Sequence, residues 1–227
     1  MYNAYISGVG YHVPENIVTN NDLSKIIDTT DEWIIERTGI KERRHINQQG
    51  IGPSDLAIPA VNSALSNASL SIEDIDFIVF ATSTPDYYAP GSGCLLQEKM
   101  NFQKIGALDI RMQCSGFIYG LSIAEQYIKS GTYNNILVIG SEVQSTALNL
   151  SDAGRDTAVI FADGAGAVIV SATNKDEGIL STQLRSEGKY AKELWVEAPS
   201  SSKGFPRIDK DDLDEGKQFV KMNGQTV

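Results

Sequence analysis

Apolar residues recur along the chain with two alternating periods. Short apolar runs predict strands: Ala4–Val9, ending at Gly8 and Gly10, and Ala107–Arg111, with Phe77-Ile-Val-Phe-Ala-Thr and Ile136-Leu-Val-Ile-Gly continuous enough to be buried ones. Stretches with apolar residues three and four apart predict helices. One runs from Ser54 to about Asn67, with Pro59 expected to kink it or to mark its true start. Another covers Ser115–Ser130, with Leu121, Ala124 and Ile128 on one side and Gly131 as the stop. Asn20-Asn21-Asp22 and Thr29-Thr30-Asp31 supply N-caps for two short helices, the second passing through Trp33 to Arg37 and ending at Gly39. Thr157–Phe161 and Ala167–Val170 read as strands flanking a tight turn at Asp163-Gly-Ala-Gly. Beyond Ser186 loops and charges dominate, and the acidic run Asp209–Glu215 reads as a solvated face. Strands alternating with helices, without linker or repeat, predict a mainly parallel, layered α/β sheet.

Composition narrows the class. The 227 residues amount to roughly one and a half typical domains. A content of 41% hydrophobic and 21% charged residues excludes disorder. Lys+Arg 19 against Asp+Glu 29 gives a net charge of -10, which repels phosphate backbones and anionic lipid. Nucleic acid and membrane surfaces are therefore not expected partners. No apolar run approaches the ~20 residues of a membrane span. The opening Met-Tyr-Asn-Ala-Tyr-Ile-Ser-Gly has no basic or long apolar segment of a secretory signal, so the expected compartment is the cytoplasm. Cys94 and Cys114 form no disulfide framework, and His12 and His45, with no close cysteine pair, make a metal cluster an unexpected feature.

Chemistry concentrates in Asp109-Ile-Arg-Met-Gln-Cys-Ser-Gly-Phe-Ile-Tyr-Gly, where Cys114 joins a buried strand to an apolar helix. Backbone N–H groups at a helix N-terminus favour a thiolate, the form that attacks a thioester. Position alone leaves a nucleophile and a small buried hydrophobe equally open. Cys94, followed by Leu95-Leu96, reads as core. Trp33 and Arg37, four apart, share a helix face; core packing and a surface salt bridge are their plainer uses. Arg37, Lys41, Arg43 and Arg44 form a basic island suited to phosphates or an acidic protein, or simply a solvated face, and His45 reads as a surface or loop residue. Gly8-Val-Gly10 fails as a dinucleotide fingerprint because Val13 stands at the third glycine position. Gly164-Ala-Gly166, beside Asp163, reads as a structural turn, and Ser115 lacks the context of a serine nucleophile.

Seven ordered segments carry a resemblance. They are Gly8-Val-Gly-Tyr with Pro14 and Thr19-Asn20; Thr29-Thr-Asp-Glu-Trp-Ile-Ile-Glu-Arg-Thr-Gly-Ile; Thr82-Ser-Thr-Pro-Asp-Tyr; Cys114-Ser-Gly-Phe-Ile-Tyr-Gly-Leu; Ile139-Gly-Ser-Glu; Phe161-Ala-Asp-Gly-Ala-Gly-Ala; and Met222-Asn-Gly. Together they resemble the 3-oxoacyl-acyl-carrier-protein synthase III family. The resemblance implies a thiolase-like, layered αβαβα fold of two similar halves. Residues 1–175 would be the half carrying the nucleophile, and 176–227 the start of the second, only partly present. It implies a homodimer and no metal or redox cofactor, coenzyme A entering as the substrate thioester. Cys114 would take an acyl group from acyl-CoA, its own N–H serving in the oxyanion hole. Decarboxylated malonyl-acyl carrier protein would then attack the acyl-cysteine to give a 3-oxoacyl product. Trp33 and Arg37 would sandwich the coenzyme's adenine, with Thr29 and Arg155 nearby.

Departures from the family pattern set further expectations. Arg155 stands in Ser151-Asp-Ala-Gly-Arg-Asp, where many members have an Asp-Arg pair, and Gln113 stands where a small residue is usual. Ala89 replaces the bulky aromatic with which some members line the partner's acyl pocket, which implies a longer or bulkier primer. The family's catalytic histidine and asparagine follow the Met-Asn-Gly segment, and the sequence stops at Val227. This chain alone is therefore expected to be acylated at best, with negligible condensation. Two alternatives remain: a starter-unit transferase that passes on the acyl group without decarboxylating malonate, and a non-catalytic binder of acyl-CoA or carrier protein.

Overall fold

The computed structural model describes residues 2–224 and 226–227. In chain order its strands are β1 (Asn3–His12), β2 (Ile17–Thr19), β3 (Glu42–Arg44), β4 (Phe77–Ala81), β5 (Gly106–Ile110), β6 (Asn135–Val143), β7 (Asp163–Thr173), β8 (Leu194–Trp195) and β9 (Lys221–Met222). The helices are α1 (Asn20–Leu23), α2 (Asp31–Thr38), α3 (Pro53–Ala68), α4 (Ser92–Lys99), α5 (Gly116–Lys129), α6 (Arg155–Ala158) and α7 (Lys210–Asp214). They group into two compact units: residues to Pro14 with Ile46–Val143 and Asp163–Leu184, and Glu15–His45 with Gln144–Ala162 and Arg185–Val227.

The first unit is a five-stranded sheet in the order β1-β7-β6-β4-β5. Strand β4 is buried along its whole length, which is why its sequence is continuously apolar rather than alternating. Its residues face two different cores. Ile78 and Phe80 pack with Leu137, Ile139 and the α3 residues Ala57, Ala60, Val61 and Ala64. Phe77 and Val79 pack with Ile136, Val138 and the α5 residues Ala124 and Ile128. Helices α3 and α5 thus cover opposite faces, as a layered α/β fold requires.

Helix α5 approaches the sheet closely because Gly116 and Gly120 lack side chains. A methyl on Gly120 would lie 2.9 Å from Val138 Cγ1 and 3.3 Å from Val79 Cγ1. The helix ends at Ser130, followed by Gly131 at φ 74°, in the left-handed region where glycine is favoured. Helix α3 starts at Pro53, with the Asp55 carboxylate accepting from Gly52 N–H at 2.9 Å. Pro59 therefore falls inside the helix instead of opening it, on the exposed side, where it deletes one backbone hydrogen bond.

The sheet is mixed rather than mainly parallel. Strand β4 runs parallel to β5 and β6, whereas β7 is antiparallel to both β6 and β1. The difference arises at residues 163–166, expected as a turn. They are the first residues of one continuous eleven-residue strand, in which Gly164 pairs with Glu142 and Gly166 with Gly140. Neither glycine has positive φ, so nothing reverses the chain there. The expected strand at 157–161 is instead the last two residues of α6 and the turn after it, with Ile160 and Phe161 N–H donating to Thr157 O.

In the second unit β2 and β3 form an antiparallel ladder, and β8 pairs with β9. Thr19, rather than Asn20–Asp22, caps α1: its hydroxyl accepts from Asp22 N–H while the Asp22 carboxylate accepts from Thr19 N–H. Thr30 caps α2, and Gly39 at φ 72° ends it, as expected. Leu23, Ile27, Ile34, Ala158 and Val159 form this unit's apolar core.

Four surface expectations are corrected. Arg43 and His45 are buried, at 5% and 8% exposure, because alternation along β3 and its continuation turns both inward. Cys94 is exposed, since α4 buries the face carrying Ser92, Gly93 and Leu96. The acidic run is no plain solvated face: Asp212 is 2% exposed and bonds the ammonium groups of Lys203 and Lys217.

Candidate active site

Strands β4, β5 and β6 are parallel, and in open α/β sheets chemistry gathers at the carboxyl ends of such strands. Beyond β5 the chain makes a 3-10 turn over Gln113–Ser115 and enters α5 at Gly116. Cys114 stands exposed on that turn. Gln113 adopts φ 46°, a left-handed conformation that costs a non-glycine residue roughly 1–3 kcal/mol. The turn is closed by Ser115, whose N–H and hydroxyl both donate to Met112 O, at 3.2 and 2.9 Å. The first N–H groups of α5 lack intrahelical acceptors and carry partial positive charge, which favours an anion at this turn.

The loop after β4 is anchored beside the same strand ends. The Glu142 carboxylate accepts from Ser83 N–H at 2.8 Å, Ser83 Oγ at 2.9 Å and Thr84 Oγ1 at 2.7 Å. The Asp109 carboxylate on β5 accepts from the N–H groups of Ser92 and Gly93, at 2.6 and 2.9 Å. Burial pushes the Asp109 carboxyl above the usual range, against these two donors. Ala89 lies exposed on this loop, before the cis bond to Pro90.

The other predicted residues meet in the second unit. Arg37 Cζ lies 4.4 Å and Arg155 Cζ 4.8 Å from the Trp33 ring centroid. The Arg37 guanidinium is thus stacked on the indole, a cation–π geometry. The segment before α2 is tied to α6 and the turn preceding it: Asp152 Oδ1 accepts from Asp28 N–H at 2.7 Å, and Arg155 donates to Asp28 O at 3.3 Å. Between these ties, Thr29 Oγ1 is buried with no hydrogen-bond partner, as is Arg155 Nε. An aromatic plane with two guanidinium groups against it suits a flat, anionic ligand. The basic island is not one surface, since Arg43 is buried and Arg44 pairs with Glu42 at 3.3 Å.

Sequence reading missed three features. A cavity of about 320 Å³ is lined by residues including Asn149, Gly154, Asp156, Phe219, Val220 and Met222. Glu142 enters the sequence pattern only as the last residue of Ile139-Gly-Ser-Glu. Asn20, read as a cap, is 1% exposed and bonded to Arg43; a polar residue next to apolar Leu23 and Ile27 was the available signal. Among the described residues no three His, Cys, Asp or Glu side chains gather around a metal position, and no helix is long and apolar enough to cross a membrane.

A thiol on a strand-to-helix turn of a layered α/β sheet, in a chain that also stacks a guanidinium group on an indole, places the protein among α/β proteins that present a cysteine at a helix start. Comparison with known proteins gives the family. Residues 108–188 match the family model described as 3-Oxoacyl-[acyl-carrier-protein (ACP)] synthase III. The chain is 45% identical over 222 residues to the beta-ketoacyl-[acyl-carrier-protein] synthase III of Fusobacterium nucleatum subsp. nucleatum, covering 98% of this chain and 66% of that protein. It is 46% identical over 225 residues to a synthase III of Bacillus anthracis, covering 99% and 65%. The crystal structure of 3-oxoacyl-[acyl-carrier-protein] synthase III from Aquifex aeolicus VF5 superposes with TM-score 0.85 at 39% identity, covering 98% of this chain and 65% of that one. The chain belongs to the 3-oxoacyl-acyl-carrier-protein synthase III family and has its thiolase-like α/β fold. It spans about two thirds of the length of the curated relatives it matches.

Proposed function

We propose that the protein is an acyltransferase of the synthase III type in fatty-acid or related synthesis, with Cys114 as its nucleophile. The sulfur attacks the thioester carbonyl of acyl-CoA, the bond from carbonyl carbon to coenzyme sulfur breaks, and the thiol proton ends on the departing coenzyme. Malonyl-acyl carrier protein then loses carbon dioxide. Its carbanion forms a carbon–carbon bond to the acyl carbon, releasing Cys114 and 3-oxoacyl-carrier protein. Trp33, Arg37, Arg155 and Thr29 hold the nucleotide end of the coenzyme: the indole of Trp33 and the guanidinium of Arg37 sandwich the adenine, with Thr29 and Arg155 beside them. Ala89 belongs to the acyl pocket and favours a longer primer. The working state is a cytoplasmic homodimer, with residues 1–175 as one half of the thiolase-like fold and 176–227 within the other.

The observation that carries this reading is the exposed Cys114, held beside the left-handed Gln113 at the start of α5. Strain of this kind persists where the surrounding packing enforces it, and it concentrates at reacting groups. The test is intact-mass measurement after incubation with acetyl-CoA and octanoyl-CoA. One acyl group per chain is expected, absent in Cys114→Ala, with octanoyl transfer the faster. No adduct, or an adduct that survives Cys114→Ala, would overturn the assignment; faster acetyl transfer would overturn the role of Ala89 alone.

A further inference from the structure

We propose that Arg43 and Asn20 form a buried positioning relay that sets the Trp33 clamp by fixing the helix carrying Trp33 and Arg37 to the helix carrying Arg155. The inference rests on the coenzyme A reading of those three residues and concerns what holds them in place. Arg43 is 5% exposed and Asn20 1% exposed. One terminal nitrogen of Arg43 donates to Asn20 Oδ1 at 2.7 Å and to Val159 O at 3.2 Å; the other donates to Val18 O at 3.2 Å. The Asn20 amide then turns its NH2 the other way, donating to Asp31 Oδ1 at 2.8 Å and to Ile40 O at 2.7 Å.

The destinations of these bonds give them their meaning. Asp31 is the first residue of α2, and Ile40 follows Gly39, which ends it. Val159 follows α6, whose first residue is Arg155. One guanidinium and one amide therefore pin both ends of the helix bearing Trp33 and Arg37, and the carboxyl end of the helix bearing Arg155. The apolar core of Leu23, Ile27, Ile34, Ala158 and Val159 holds the same helices together, but apolar contact is non-directional and tolerates sliding. Hydrogen bonds at 2.7–3.2 Å do not.

A buried guanidinium is an expensive way to fill space, and a hydrophobic side chain of similar volume often serves stability as well or better. Burial also draws the Arg43 pKa down from its usual value, the mark of a cation removed from water. What the arrangement provides is register. Stacking of Arg37 and Arg155 on the indole depends on separations of 4.4 and 4.8 Å, which a slide of α2 against α6 would change. Arg43 and Asn20 touch none of the clamp side chains in these bonds. They act through the backbone that carries them and are positioning residues.

The experiment uses the full chain in a Trp195→Phe background, so that emission reports Trp33. Affinity for coenzyme A is measured by isothermal titration calorimetry, which reads variants lacking Trp33 as well. Acylation of Cys114 is followed with acetyl-CoA and with S-acetyl-N-acetylcysteamine, a thioester lacking the nucleotide. Arg43→Met is expected to shift the unliganded Trp33 emission and to weaken coenzyme A binding about 10- to 100-fold, the usual scale for residues that orient a binding group. It should raise the acetyl-CoA concentration for half-maximal acylation by the same factor, and leave the saturated rate and the short-thioester rate unchanged. Arg43→Lys should recover part of the affinity. Asp31→Ala, nearer the surface, removes only the last link and should weaken binding less, in the same sense; it decides the matter should Arg43→Met not fold.

Folded Arg43→Met and Asp31→Ala proteins that bind coenzyme A like the parent, while Trp33→Ala does not, would overturn the relay and leave the clamp standing. Equal slowing of both thioesters by Arg43→Met would also overturn it, since that is what a general structural defect does. Parent-like binding by Trp33→Ala and Arg37→Ala would overturn the clamp reading, and the relay with it.

Discussion

Gly10→Ala tests whether the glycines of the first strand are steric slots. Gly8 and Gly10 on β1 face the backbone of α3. A methyl on Gly10 would lie 2.1 Å from Ala60 O and 2.5 Å from Ala64 N; one on Gly8 would lie 2.2 Å from Ala64 O. A comfortable carbon–oxygen contact is about 3.3 Å, so α3 must retreat by roughly 1 Å. The residues that would lose contact, Ala57, Ala60, Val61 and Ala64, are fully buried. Overpacking costs about 1–3 kcal/mol, and a clash with backbone rather than a mobile side chain belongs at the upper end, about 3 kcal/mol. For a chain of this length that lowers Tm by about 6–12 °C. Gly166→Ala is the control: its Cβ would meet nothing within 4 Å and its φ is not positive. Relief of glycine's entropic cost there is worth about 0.5–1 kcal/mol, raising Tm by about 1–4 °C. Thermal unfolding followed by far-ultraviolet circular dichroism measures both. A Gly10→Ala melt within about 2 °C of the parent, or equal falls for the two variants, would refute the argument.

Other perturbations follow from the same contacts. Glu142→Ala leaves Ser83 N–H without its acceptor and frees the loop that carries Ala89; the denaturant midpoint should fall by the equivalent of about 1.5–3 kcal/mol, with proteolytic nicking moving to residues 82–91. Gly39→Ala forces an L-residue to φ 72° where nothing else obstructs it, so it should cost roughly 1–2 kcal/mol of stability through backbone conformation alone. Hydrogen bonds from Lys203 and Lys217 hold the Asp212 carboxyl well below the usual carboxylate range. A depressed folded pKa stabilises at neutral pH, and that contribution fades as pH falls below about 4, so Asp212→Asn should be less stable at pH 7 with a flatter acid limb in Tm against pH. Parallel curves would contradict it. Both thiols are exposed, so a chromogenic disulfide reagent should titrate two per native chain, and one in Cys114→Ala.

What could be read in advance was what neighbours in sequence decide. Helix α5 announced itself through Leu121, Ala124 and Ile128 and its stop at Gly131; α2 did so through Thr30 and Gly39. Cys114 could be placed because a strand and an apolar helix flank it at once, although β5 is an edge strand with exposed residues rather than the buried strand expected. Strand β7 could not, because Asp163-Gly-Ala-Gly is extended only through pairing with β6 on one side and β1 on the other. Local glycine content argued for a turn, and two ladders overrode it. The direction of the sheet was lost with that strand. Trp33 and Arg37 were legible as an i, i+4 pair, but the approach of Arg155 joins segments far apart in the chain and came only from the family resemblance. The Arg43 relay spans 23 residues to Asn20 and 116 to Val159, beyond any periodicity.

The two chemical groups are held by different physics, and this determines how each should fail. The helix that follows Cys114 is fixed by close packing: α5 sits so near β4 and β6 that Gly120 has no room for a methyl. Such a site responds to volume and little to salt or charge, because dispersion and burial hold it. The indole clamp is fixed by directed polar bonds on short elements, α2 of eight residues and α6 of four, over a small core. Short helices have little stability of their own, so Arg43, Asn20, Asp152 and Arg155 set the positions of their ends. Volume changes under α5 should therefore disturb reaction with any thioester. Loss of a hydrogen bond around α2 and α6 should disturb only thioesters that carry the nucleotide.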